Sequence, residues 1–165
     1  GGEQALSHSE YLAFLRLILD TDCADLLDIE FFTAGADLPA LVEQAHSAGI
    51  TVVCSSHDFT KTPPRAELVR RMVQMQQAGA DLPKLAVMPQ CRTDVLELLA
   101  ATAEMADLHP ETPVITMSMG ALGAVSRLAG ETFGSAMTFA NPGQASAPGQ
   151  VSLDIVNEVL NALHL

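Results

Sequence analysis

The stretch 51–88, TVVCSSHDFTKTPPRAELVRRMVQMQQAGADLPKLAVM, decides the fold. It opens on Thr51-Val52-Val53-Cys54-Ser55, a short β-branched run that reads as a strand. A helix follows over 64–78, with proline near its start and Gly79 at its end. The run 84–88, Lys84-Leu85-Ala86-Val87-Met88, is again a strand. Outward toward the N-terminus, 38–48 reads as a helix stopped by Gly49, 25–32 as a strand, and 7–20 as a helix capped by Ser7 or Ser9. Toward the C-terminus, 92–106 reads as a helix with Thr93 or Asp94 near its cap, 113–117 as a strand, and 120–129 as a helix ended by Gly130. A weaker strand over 135–139, a Gly/Pro/Ser loop over 140–150 and a helix over 152–163 complete the pattern.

This gives about five strands and six helices in alternation, and the strands are near-continuous apolar runs. Such runs belong to a parallel sheet covered on both faces. The class is α/β, either a doubly wound sheet or part of a (β/α)₈ barrel. A barrel needs eight units and about 250 residues, so the 165 residues form a single, incomplete barrel domain over 1–165 on that reading. Neither GxGxxG nor GxxxxGK[ST] is present, which argues against a nucleotide site.

The formal charge is −12, from 20 acidic and 8 basic residues. That excludes a nucleic-acid or anionic-membrane partner as the leading reading, since both require clustered cations. The one basic cluster, Arg65, Arg70 and Arg71, falls on one helix and reads as a solvated face. Cys23, Cys54 and Cys91 form neither a disulfide framework nor a zinc pattern, and Cys54 reads as a small buried residue. A reducing, cytoplasmic setting fits, with no apolar run near the roughly 18 residues that span a bilayer. The start, Gly1-Gly2-Glu3-Gln4, has no initiator Met. It reads as a processed or cloned start, or as a chain beginning partway through a domain.

Lys84 opens an apolar strand in a chain with two lysines. A buried lysine is costly to keep charged, and a neutral amine attacks ketones. The plain alternative is a strand-start lysine facing solvent. His57 ends the strand that begins at Thr51, at the edge where barrel enzymes keep their active sites. It suits acid/base work near neutral pH, or serves as a loop residue. His8, His46, His109 and His164 read as surface residues, and no pair has metal-ligand spacing. Asp28 and Glu30, two apart on one strand, share a face that is either a barrel interior or a solvated edge. Arg127 suits a carboxylate ligand or complements a helix C-terminus. Met117 and Met119 read as barrel lining. Residues 145–150 could form a lid over a site or an ordinary connection, with Ser146 and Gln150 as their polar members.

In this order the motifs resemble one family, the type I 3-dehydroquinate dehydratases. The matching stretches are Gly1-Gly2-Glu3-Gln4, Asp28-Ile29-Glu30, Ser56-His57-Asp58-Phe59, Pro83-Lys84, Met117-Ser118-Met119-Gly120, Ser126-Arg127-Leu128-Ala129-Gly130 and Ala145-Ser146-Ala147-Pro148-Gly149-Gln150. The resemblance spans essentially the whole chain. It implies a (β/α)₈ barrel that dehydrates 3-dehydroquinate to 3-dehydroshikimate, in aromatic biosynthesis, with no cofactor or metal. It implies Lys84 as the Schiff-base lysine and His57 as general acid/base. Arg127 would bind the substrate carboxylate, Ser146 and Gln150 would close over the substrate, and Met117, Met119 and Glu30 would contact it. The full-length form would be a homodimer.

The departure is at the start, where about three β/α units of the eight-unit barrel are expected and not seen. They would carry the groups that bind the ring hydroxyls, and a Glu just before Gly1 that orients the histidine. A barrel cut there exposes two sheet edges, so the 165 residues alone are expected to be poorly stable, prone to associate, or inactive. The type II dehydroquinate dehydratases have chains of similar length, but their tyrosine-bearing N-terminal signature is absent. Two other readings remain at this level: another class I Schiff-base lyase, such as an aldolase, and a catalytically silent binding module.

Overall fold

The computed structural model describes residues 6–21, 23–143 and 149–163. Its centre is a parallel sheet of β1 (Leu26–Glu30), β2 (Thr51–Asp58), β3 (Leu82–Val87) and β4 (Ile115–Ser118). The strands lie side by side in chain order, all parallel. A doubly wound sheet reverses its strand order partway across. An unbroken 1-2-3-4 order is the wall of a barrel.

Helices follow or precede each strand: α1 (His8–Leu19), the short α2 (Phe31–Ala34), α3 (Leu38–Ser47), α4 (Arg65–Gln77), α5 (Arg92–Leu108), α6 (Ala124–Leu128) and α7 (Leu153–Leu163). Ser7 caps α1 through a reciprocal pair, its Oγ accepting from the Glu10 N–H while Glu10 Oε2 accepts from the Ser7 N–H. At α5 the Asp94 carboxylate accepts from the N–H groups of Gln90 and Cys91. Gly49 and Gly79 follow α3 and α4 with positive φ, as the sequence stops imply.

The two faces of the sheet explain why its strands are apolar throughout. Leu27, Ile29, Val52, Cys54, Leu85 and Val87 point outward into a core with Leu41, Leu68, Met72, Met75, Leu98 and Met105 from the helices. Val53, Leu82, Ala86, Ile115, Met117 and Met119 form a second apolar layer on the opposite face. Leu85 is fully buried in the outer core. Its replacement by alanine is expected to cost about 2–5 kcal/mol in a denaturant unfolding curve, because the cavity it leaves is ringed by helices that cannot fully collapse.

Among the described residues the sheet has four strands rather than five. The fifth stretch, 135–139, meets the sheet at a single bridge between Val114 and Ser135. Ala136 N–H donates to the Val114 carbonyl at 2.8 Å, but the Thr116 N–H donates to Ser135 Oγ at 3.1 Å. A side-chain hydroxyl thus takes the place of a backbone acceptor, and the ladder stops. Other boundaries shift as well: β2 runs on to Asp58, β3 spans Leu82–Val87, β4 begins at Ile115, and two further shifts have a visible cause. Residues 31–32 leave the strand and begin α2, with the Phe31 and Phe32 rings edge to face at 5.2 Å. Helix α6 begins only at Ala124, because the chain turns tightly against the strand it has just left: a Cβ on Gly123 would lie 2.2 Å from the Ser118 carbonyl oxygen.

Arg65 and Arg70 are exposed, as the spacing suggests, but Arg71 is largely covered and lies over the Phe32 ring. Arg70 and Arg71 both bind Glu67 at 2.7 Å, and Arg65 reaches Glu104 at 3.2 Å. Among the described residues no helix is long and apolar enough to cross a membrane.

Candidate active site

Strand register assembles the site. Glu30 pairs with Ser55, and Ser55 with Lys84; His57 pairs with Ala86, and Ala86 with Met117. Paired residues share a face, so Asp28, Glu30, Ser55, His57, Lys84 and Met117 all project to the inner side. The inner face is therefore apolar toward the β4 side and charged over β1 to β3. The two carboxylates face the interior, which resolves the alternatives open for them in the sequence.

Lys84 does not face bulk solvent. Its side chain is 12% exposed, and its Nζ donates to Asp28 Oδ2 at 2.7 Å. Asp28 Oδ1 accepts from the buried Ser55 hydroxyl at 2.5 Å. The Phe139 ring stands over the amine, its centroid 4.9 Å from Nζ. Beside this pair, His57 Nδ1 lies 3.1 Å from Glu30 Oε1, close enough for an ion pair though off the line of an ideal hydrogen bond. The contact with His57 is the largest influence holding the Glu30 carboxyl at about 2, so it is ionised throughout the neutral range. Phe59 stacks on the His57 ring at 5.8 Å and nearly parallel.

Tyr11 on α1 completes the wall. Its hydroxyl accepts from the Glu30 N–H at 2.8 Å, and burial pushes its phenol up from the usual value. Tyr11, Asp28, Glu30, His57 and Lys84 line one cavity of about 350 Å³. That is room for a ring-sized polar substrate beside a primary amine, an imidazole and two carboxylates. Such a set can condense an amine with a ketone and move a proton at the neighbouring carbon.

The remaining sequence candidates lie at varied distances from this cavity. Arg127 is fully buried, and its Nη1 approaches Met117 Sδ at 3.6 Å and the Phe139 carbonyl oxygen at 3.4 Å. It reaches the site through Phe139, whose ring stands over Lys84, and also lines a second cavity with Glu131, Ser135 and Leu160. Met117 and Met119 are buried in the inner apolar layer, as read. Met119 N–H donates to the Val87 carbonyl at 2.8 Å, which continues the strand contact past β4. Gln150 is half-buried, and Ser146 lies outside the described residues. Gly149 carries φ +75°, and a Cβ there would sit 2.3 Å from the Gly120 carbonyl oxygen. The chain entering Gln150 therefore lies directly on the turn that follows β4. His8 and His46 are exposed, and Cys54 is buried with its thiol pushed up to about 12, which leaves it inert.

A model of the family described as type I 3-dehydroquinase matches residues 1–165. The chain belongs to the type I 3-dehydroquinase family. The 3-dehydroquinate dehydratase of Salmonella paratyphi B is 49% identical over 164 residues, covering 99% of this chain and 65% of that protein. The type I 3-dehydroquinate dehydratase of Clostridium difficile, solved with covalent modified comenic acid, superimposes with a TM-score of 0.93 at 48% identity. It is covered over 99% of this chain and 65% of its own. The 3-dehydroquinate dehydratase of Geobacillus kaustophilus gives a TM-score of 0.91 at 40% identity, over 99% of this chain and 63% of its own. The chain thus spans slightly less than two thirds of the length of these 3-dehydroquinate dehydratases. The parallel wall of consecutive strands is consistent with part of their barrel.

Of the residues that line this cavity, sequence reasoning pointed to Lys84, His57 and Glu30 and drew attention to Asp28 without giving it a role. It missed Ser55, Tyr11 and Phe139. The i, i+2 spacing of Ser55 and His57 was a usable signal, since it repeats that of Asp28 and Glu30 on the neighbouring strand. Nothing local marks Tyr11 or Phe139, whose places depend on how α1 and the segment after β4 dock.

Proposed function

We propose that this chain carries the Schiff-base site of a hydro-lyase that converts 3-dehydroquinate to 3-dehydroshikimate. The observation that carries the reading is the cavity in which the largely buried amine of Lys84 and the imidazole of His57 stand together, each with its own carboxylate. Membership of the type I 3-dehydroquinase family supports the choice of substrate.

In this reading the Lys84 amine attacks the C3 ketone, the carbonyl oxygen leaves as water, and an iminium links enzyme to substrate. The iminium draws electrons from C2. His57 takes the C2 proton, and the C2 electron pair moves into the iminium to give an enamine. The enamine then returns electrons to form the C1–C2 double bond as the C1 hydroxyl takes the proton from His57 and departs as water, which restores the iminium. Water then hydrolyses the iminium, releasing 3-dehydroshikimate and Lys84. Glu30 holds the imidazole toward the cavity. Arg127 is the partner for the substrate carboxylate. Gln150 closes the site from the last loop, a role the family resemblance also gives Ser146, and Met117 and Met119 give it an apolar wall. The same reading gives a cytoplasmic enzyme of the shikimate pathway that forms a homodimer at full length and binds neither nucleic acid nor membrane.

The test is a product assay on the chain and on a version extended at its N-terminus to the length of its relatives. Each is offered 3-dehydroquinate and, separately, a panel of ketose phosphates. A dehydrated enone from 3-dehydroquinate alone is the expected result. Cleavage of a sugar phosphate, with 3-dehydroquinate untouched by both proteins, overturns the reading.

A further inference from the structure

We propose that Asp28 is the counter-ion of the reacting nitrogen: it keeps the Lys84 Schiff base protonated, and Ser55 fixes the carboxylate in place to do so. The inference rests on the Schiff-base reading above and gives a function to a side chain that reading leaves unused.

The geometry separates two charge pairs. Lys84 Nζ is 2.7 Å from Asp28 Oδ2, and His57 Nδ1 is 3.1 Å from Glu30 Oε1. Asp28 reaches the nitrogen from β1 with one oxygen, and its other oxygen is held by the fully buried Ser55 hydroxyl on β2. The Phe139 ring offers its face to the same amine. A face of aromatic carbon and a fixed carboxylate are both features that favour a cation. The other titratable groups around the cavity are Glu30, His57 and Tyr11.

The proton count shows what such a counter-ion does. The resting ammonium passes one proton to Asp28 Oδ2, and the freed lone pair forms the C–N bond at the ketone carbon while the C=O π pair moves to oxygen. A proton moves from nitrogen to that oxygen, giving a carbinolamine. The proton on Asp28 then goes to the carbinolamine hydroxyl, which leaves as water as the nitrogen lone pair forms C=N. The products are an iminium bearing one N–H, a water molecule and an Asp28 carboxylate. The site starts and ends with one positive nitrogen facing one negative carboxylate. The single N–H of the iminium points at Asp28, which also fixes the plane of the C=N bond. Only the charged imine draws electrons strongly from the adjacent carbon, so Asp28 serves the proton abstraction carried out by His57.

The test uses two hydride reagents on the N-terminally extended protein with 3-dehydroquinate. Cyanoborohydride reduces the protonated imine far faster than the neutral one, whereas borohydride reduces both. In the parent protein, cyanoborohydride trapping at Lys84 is expected to persist to a pH well above that at which the imine of a free alkylamine loses its proton. With Asp28→Asn, borohydride trapping survives. Cyanoborohydride trapping and product release then fall by about 10- to 100-fold at neutral pH and recover as pH is lowered, because the neutral imine now prevails. Asp28→Glu restores the position of the profile. Ser55→Ala gives a smaller loss with the profile little moved.

The proposal is overturned if cyanoborohydride trapping in the parent fades at the same pH as the free imine. It is equally overturned if Asp28→Asn lowers product release uniformly with pH and leaves the ratio of the two trapping yields unchanged, which is the behaviour of a purely structural residue. The parent measurement needs no variant, so the outcome stands even if Asp28→Asn does not fold. An absence of any Lys84 adduct in the parent, with either reagent, would instead sink the Schiff-base reading itself.

Discussion

Lys84→Ala in the N-terminally extended protein is expected to lower kcat for 3-dehydroquinate dehydration by about 10⁵-fold or more, with the fold intact by circular dichroism. The size follows from what the side chain supplies. Without the amine there is no iminium, and C2 must release its proton beside an ordinary ketone. Within these 165 residues the second lysine, Lys61, is an exposed loop residue and cannot take its place. The change removes one charge from an inner face that also holds Asp28, so the variant leaves that carboxylate without its 2.7 Å partner. Some loss of stability is expected on those grounds, and the Lys84→Met variant, which keeps the aliphatic stem, separates it from the loss of chemistry. Turnover of either variant within tenfold of the parent would show that the reaction does not pass through this amine.

His57→Ala is the second large effect, and its signature is different. The loss of a positioned acid/base costs about 10²- to 10⁴-fold in turnover. The amine remains, with Asp28 at hand, so the covalent adduct still forms. Its decay is what slows. Borohydride added during turnover is therefore expected to trap a larger fraction of His57→Ala as a Lys84 adduct than of the parent. A variant that neither turns over nor forms the adduct would place His57 in imine formation rather than in the proton step that follows. A variant with parental turnover would remove His57 from the mechanism. Glu30 is left beside an empty space in this variant, and its carboxyl, now held down by the His57 contact, loses the main cause of that depression.

How far the sequence carried these conclusions differs element by element. The strands around Val52 and Leu85 were legible because both of their faces are buried, so hydrophobicity alone marks them. Helix ends were legible at Gly49, Gly79 and Ser7, where a positive φ or a capping oxygen demands a particular residue. The stretch 135–139 was not, because its pairing is interrupted by the Ser135 hydroxyl, and a side chain that replaces a backbone acceptor leaves no mark in the pattern of apolar residues. The strand order was open between two architectures, and only the pairing of β1 with β2, β2 with β3 and β3 with β4 decided it.

The site followed the same division. Lys84 stood out as a cation at the head of an apolar strand, and His57 as an imidazole at the end of one. What the sequence could not give is the partnership of each. Asp28 and Glu30 sit on one strand with identical spacing and chemistry, yet one carboxylate meets the amine and the other the imidazole. The parallel register alone does not make that choice, since it puts Glu30, Ser55 and Lys84 in one row; Lys84 reaches across rows to Asp28, whose other oxygen is held by Ser55. Arg127 shows the opposite case: its residue type and place left a carboxylate ligand and a helix-end cation both open, and neither reading implies that it is fully buried beside Phe139 and Met117. Helix α6 is only five residues long there, too short for a dipole argument to have decided the matter.

The central claim is that Lys84 forms a covalent bond with a ketone substrate. The most direct measurement incubates the protein with 3-dehydroquinate, adds borohydride, and maps the mass gain by peptide mass spectrometry, for the chain and for its N-terminally extended version. The expected result is a reduced adduct on the peptide carrying Lys84, and on no other peptide, in the extended version at least. A Lys84 peptide of unchanged mass in both proteins, under conditions where 3-dehydroquinate is consumed, would contradict the account.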